Sequence, residues 1–145
     1  MPILTFQNSS DGPLIDVLIG VSQFRANALR LVNMPIPPPI QLRFLIDTGA
    51  SGTCVEAGLL KPLGLVSSGQ IAVHTTSPGP IPAQWPQFDV SLTLLHPLYP
   101  YTIFTTPVVE CLPLGGNVQG LLGRDILEHC LLIHNGQEKS FSLAF

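Results

Sequence analysis

The chemistry of this chain points first to Asp47. A largely apolar run, Leu42 to Ile46 with Arg43 within it, stops at this carboxylate, and Thr48, Gly49, Ala50, Ser51, Gly52 and Thr53 follow at once. A short apolar run bounded by turn formers suits a buried strand. A carboxylate at the end of such a strand must be neutralised or hydrogen-bonded, because burying it unpaired is costly. Gly49 and Gly52 permit a tight loop whose backbone N–H groups can approach it. Thr48 places a hydroxyl beside it. A carboxylate held in this way can take up or release a proton as a bond is cleaved.

Other reactive residues form no comparable constellation. His74, His96, His129 and His134 are widely spaced, with no His-Glu-x-x-His pattern and no Cys pair nearby. Surface or strand roles are expected for them, and no metal. Cys54 lies seven residues beyond Asp47 without a Cys–His–Asn signature, and Ser51 lacks a Gly-x-Ser-x-Gly elbow. Cysteine and serine hydrolase readings are therefore set aside. No Gly-rich phosphate loop is present, and no cofactor is expected.

Two segments together resemble the retroviral-type aspartic proteases, the retropepsins. The first is Phe44-Leu45-Ile46-Asp47-Thr48-Gly49-Ala50-Ser51. The second is Gly120-Leu121-Leu122-Gly123-Arg124-Asp125-Ile126-Leu127. In that family an apolar-apolar-Gly element crosses behind the active-site loop, and a short helix beginning Arg-Asp or Arg-Asn follows. The resemblance runs from about Leu14 to Phe145. It fits the first dozen residues and the stretch Phe24–Pro39 poorly. It implies an all-β, retropepsin-like closed barrel with one short C-terminal helix and half an active site per chain.

Metal-free peptide hydrolysis needs a base to activate water and an acid to protonate the leaving group. Two carboxylates about 3 Å apart can do both, since like charges that close share one proton. The chain has a single Asp-Thr-Gly. A C2 homodimer would set Asp47 opposite its own copy and complete the pair. The resemblance thus implies a homodimeric aspartic endopeptidase acting on an extended peptide, with Asp47 catalytic. Thr48, Gly49 and Ala50 support the loop, the Thr48 hydroxyl reaching across the dimer axis. Ser51 contributes to the substrate floor; Thr75, Thr76, Ser77, Pro78 and Gly79 form the covering flap. Many retropepsins carry an acid at the Ser51 position that pairs with the helix arginine. Here Arg124 must find another acceptor, a carbonyl or Glu128. The flap tip Pro78-Gly79-Pro80 is stiffer than the family's Gly-rich tip. These two departures keep an alternative open: a catalytically silent peptide-binding or dimerisation domain on the same fold.

The elements that position these residues read mainly as strands. Pro2–Phe6 is a short strand candidate. In Leu14–Val21, Ile15, Val17, Ile19 and Val21 share one face. Phe24–Leu31 reads as a helical turn or an extended arm, and Met34–Pro39 as a proline-rich connector. The block Phe24–Pro39 is taken as an insertion or connector loop. Val55–Gly64 reads as a short helix or turn. Gln70–Leu95 is a long hairpin, the flap by resemblance, with Phe88, Val90, Leu92 and Leu94 alternating inward. Leu98–Leu114 is read as two strand pieces around Pro100 and Pro107, and Val118–Leu122 as a strand. Arg124–Cys130 reads as about two helical turns. A closing hairpin turns at Asn135-Gly136. Its last strand, Phe141–Phe145, is expected at the dimer interface.

Composition bounds the rest. At 145 residues one domain is expected. Only 10% of residues are charged against 46% apolar, so apolar surface is expected to be covered by a partner. A net charge of −3 gives no reason to expect nucleic acid or an anionic membrane as partner. Fifteen prolines and 13 glycines favour short strands and turns over long helices. No leader-like start, membrane-length apolar run or even cysteine count is seen, so a cytoplasmic protein with reduced thiols is expected.

Overall fold

The computed structural model describes residues 1–73 and 83–145. Its main body is a β-barrel. The strands are β1 (Ile3–Gln7), β2 (Leu14–Val21), β3 (Ile40–Ile46), β4 (Cys54–Glu56), β5 (Gly69–Val73), β6 (Ala83–Leu94), β7 (Tyr101–Cys111), β8 (Gly120–Leu122), β9 (Leu131–Asn135) and β10 (Ser140–Ala144). Seven of them hydrogen-bond in the order β2-β3-β8-β4-β7-β6-β5, and β2 also pairs with β6. That last pairing closes six strands into a barrel and leaves β5 as an extension on β6. This is the all-β closed barrel expected from sequence.

Period-two alternation fills the barrel. β2 sends Ile15, Val17, Ile19 and Val21 inward, β3 sends Leu42, Phe44 and Ile46, and β6 sends Val90, Leu92 and Leu94; all are buried. Two strands differ from their sequence reading. β7 is one continuous strand that passes through Pro107. The N–H of Val109 bonds Thr53 O, so the missing donor of Pro107, two residues earlier, points to the same side. β4 pairs with β7 only from Val109 onward, so no ladder bond is lost there. β4 itself replaces the start of the helix or turn expected from Val55; only a 3₁₀ turn, Lys61–Leu63, follows it.

Helix α1 (Gln23–Leu31) occupies the first half of the expected connector Phe24–Pro39. The Ser22 side chain caps it by accepting from Arg25 N at 3.2 Å. Ala26 and Leu29 are buried, while Phe24 and Leu31 lie in solvent. A short helix, α2 (Arg124–Leu127), follows β8. Among the described residues no helix is long and apolar enough to cross a membrane.

The remaining strands form a second sheet, β1-β10-β9, all antiparallel. Phe141 and Leu143 are fully buried, and Phe6 stacks on Phe141 at 5.2 Å between ring centroids. The last strand is therefore a core strand with neighbours from its own chain on both edges.

Candidate active site

Asp47 follows the last residue of β3, and three strands fix that point. β8 runs parallel to β3, Ile46 opposite Leu122, and antiparallel to β4. The loop 47–53 thus leaves one neighbour of β8 and returns as the other. The N–H of Asp47 donates to Leu122 O at 3.0 Å, and Val109 N donates to Thr53 O at 3.2 Å. Close approach is needed behind the loop. A Cβ at Gly123 would lie 2.4 Å from the backbone of Gly52, and one at Gly120 would lie 2.5 Å from the Phe44 ring. No other residue fits either place without displacement.

The loop folds back on its own carboxylate. Asp47 Oδ1 accepts from Gly49 N at 2.9 Å and Ala50 N at 3.3 Å. A Cβ at Gly49 would stand 3.1 Å from that same oxygen, so the residue there must be small. Asp47 is half-buried, whereas Thr48, Gly49 and Ser51 are exposed.

Helix α2 clamps the loop from behind. Arg124 Nη1 donates to Thr48 O at 2.9 Å and Gly49 O at 3.3 Å, and Arg124 N donates to Ala50 O at 2.9 Å. A carbonyl pair thus serves where many retropepsins use a carboxylate at the Ser51 position. Asp125 holds the end of the loop: Oδ2 accepts from Thr53 N at 3.0 Å, and Oδ1 from Thr53 Oγ1 at 2.8 Å and Ile126 N at 2.9 Å. Thr53 Oγ1 in turn accepts from Gly123 N at 3.1 Å. Thr53 is buried, and sequence reading had given it no role. Its only signal is a hydroxyl residue between a glycine-rich loop and an apolar pair, which does not name Asp125 as partner.

Of the residues expected at the site, Asp47, Thr48, Gly49, Ala50 and Ser51 come together in this loop. Thr75, Thr76, Ser77, Pro78 and Gly79 lie outside the described residues, as does His74. The strands leading to them, β5 and β6, pair from Gly69 with Gln87 to Val73 with Ala83. His96 sits in a turn, its Nδ1 accepting from Leu98 N and Tyr99 N. Cys54, Cys111 and Cys130 are free thiols. Cys111 shares a hydrogen bond with Cys54, and that bond together with burial pushes the Cys111 thiol far above the ordinary thiol range. Among the described residues no cluster of three His, Cys, Asp or Glu side chains is placed to hold a metal.

Two surface grooves among the described residues are lined by residues other than Asp47. One is lined by Leu4, Phe6, Leu14 and Pro97 among others, the second by Gln41, Glu56 and Gln119 among others.

Comparison with known proteins gives the fold a counterpart. The chain superposes on the crystal structure of a retropepsin-like aspartic protease from Rickettsia conorii with a TM-score of 0.56 and 15% sequence identity, covering 99% of this chain and 91% of that one. No protein-family model matches the sequence, and no curated protein does. The class defined by fold and loop is thus a retropepsin-like barrel with one Asp-Thr-Gly loop per chain.

Proposed function

We propose that this chain is one half of a homodimeric aspartic endopeptidase. The observation that carries the reading is the Asp47 loop. A half-buried carboxylate at the end of a barrel strand takes two backbone N–H bonds on one oxygen, in a loop clamped by α2. The likeness of the whole fold to a retropepsin-like protease supports it.

In the dimer, two Asp47 carboxyls share one proton. The ionised one takes a proton from water, and the resulting hydroxide adds to the scissile carbonyl carbon. The protonated one gives its proton to the leaving nitrogen as the C–N bond breaks. The two N–H bonds to Oδ1 orient each carboxyl. Thr48 joins the loops across the axis, Ser51 lies along the substrate backbone, and Thr75, Thr76, Ser77, Pro78 and Gly79 cover it. An extended peptide binds as an added strand between that cover and the floor. The free thiols suit a cytoplasmic setting.

The test is turnover of an unstructured protein substrate across acidic to neutral pH by wild type and Asp47→Asn. Wild type should cleave with a bell-shaped pH dependence, as a pair sharing one proton requires. The Asn variant should lose activity by about a thousandfold or more while its sedimentation stays that of wild type. Cleavage by Asp47→Asn at the wild-type rate overturns the proposal.

A further inference from the structure

We infer that Cys54 and Cys111 are a redox pair, which a small peroxide oxidises to a disulfide joining β4 to β7 at the base of the Asp47 loop. The two thiols take no part in the mechanism proposed above, and the inference stands whether or not the chain cleaves peptides.

Strand register brings the thiols together. β4 and β7 run parallel, with Cys54 opposite Val109 and Glu56 opposite Cys111. Residues two apart on a strand share a face, so Cys111 lies on the same side of the sheet as Val109 and Cys54. It is the diagonal neighbour of Cys54. Both side chains are buried, Cys54 at 8% and Cys111 at 3% exposure, and they share a hydrogen bond. A single buried cysteine is ordinarily an inert, small apolar side chain. A facing pair differs, because the second thiol can complete an oxidation that the first begins. Cys130 is not so placed; its Sγ donates to the Ile126 carbonyl at 3.6 Å.

The shared hydrogen bond makes the two sulfurs unlike. Cys111 donates it, which holds the Cys54 thiol below its ordinary pKa, helped by the Leu121 backbone and opposed by burial and by the charges of Asp47 and Asp125. The same bond, with burial, pushes the Cys111 thiol far above that value. Cys54 is thus the readier thiolate and also the less deeply buried of the two. Its small opening suits an oxidant the size of hydrogen peroxide better than a bulky disulfide.

The oxidation runs in two displacements. The Cys54 thiolate attacks one peroxide oxygen, the O–O bond breaks, and the departing hydroxide leaves as water with the thiol's proton. Cys54 is then a sulfenic acid. The Cys111 sulfur attacks Cys54 Sγ, the S–O bond breaks, an S–S bond forms, and the hydroxyl leaves as a second water with the Cys111 proton. The two thiols give up two electrons, and the peroxide takes both. A dithiol reductant returns both thiols by exchange. To bond, the sulfurs must close from hydrogen-bond reach to about 2.05 Å. β4 is the element that can yield, being three residues long. It starts directly after Thr53, which is bonded to Asp125, so the disulfide bears on the returning arm of the Asp47 loop.

Peroxide treatment of the full chain, read by mass spectrometry, tests this. The denatured product should have the mass of one chain less two hydrogens, and dithiothreitol should restore them. Digestion after glutamate without reductant should release the segment ending at Glu56 joined to the one beginning at Cys111. Cys130, in the segment beginning at His129, should remain open to alkylation. Two variants read the order of attack. In Cys111→Ser, Cys54 should stop at the sulfenic acid and be trapped by dimedone. In Cys54→Ser, Cys111 should stay a thiol under the same treatment. The wild-type result decides the pairing even if a variant fails to fold. A wild-type chain whose Cys54 and Cys111 both stay free in excess peroxide, or whose disulfide includes Cys130, overturns the pair. Dimedone trapping at Cys111 in Cys54→Ser overturns the order of attack. None of these results bears on the endopeptidase reading, which Asp47→Asn tests separately.

Discussion

Asp47 and Asp125 share one network and carry opposite burdens. Asp125 gives both oxygens to three donors and so serves structure alone. Asp47 accepts both of its amide bonds on Oδ1, so Oδ2 takes neither of them. The difference is one of placement: Thr53 and Ile126 engage both oxygens of Asp125, whereas both amide bonds to Asp47 fall on Oδ1. The Asp47 loop was legible from sequence because an apolar run that stops at Asp-Thr-Gly reads as a strand entering a tight turn. The Thr53–Asp125 pair was not, because its halves lie in separate segments and only the strand β8 between them brings them together. Thr53→Val should cost about 2 kcal/mol, since it strips a bond from Asp125 and leaves the N–H of Gly123 buried without a partner. Urea unfolding measures it. A midpoint equal to that of wild type would contradict the role given to Thr53.

At the scale of elements, those with strong alternation were read correctly. β2 as far as Ile19 and β6 from Val90 bury every second residue, and the Asn135-Gly136 turn marks the β9–β10 hairpin. The misreadings share one cause: structure set by neighbours leaves little local pattern. β4 is three residues long and exists because β7 and β8 flank it. In helix α1, Phe24 and Leu31 face solvent while Ala26 and Leu29, three residues apart on one face, pack inward. Its clearest cue was a cap, Ser22, rather than an apolar stripe. Replacing Ser22 with Ala should destabilise the protein by about 1 kcal/mol, read by chemical denaturation with the slope unchanged. A gain in stability would mean that Ser22 does not cap α1. The flap tip, Thr75 to Gly79, stays an expectation from resemblance.

At the scale of the whole molecule, the homodimer proposed above makes its own predictions. The chain's barrel is closed and filled, and Asp47 sits on the loop that follows β3. Its second sheet ends in an open edge with two exposed aliphatic side chains. Few charges and much apolar surface, noted first in the composition, fit a chain that keeps a face for its own copy. Activity should therefore fall faster than protein concentration on dilution below the dimer dissociation constant, and a rate strictly proportional to chain concentration throughout would speak against a shared site. The most direct measurement mixes wild type with an equal amount of Asp47→Asn at fixed total concentration and allows the subunits to exchange. If each site takes one carboxyl from each chain, only wild-type pairs work, and activity should settle at about a quarter of that of undiluted wild type. A value of about half would mean that single chains act alone and would contradict the account.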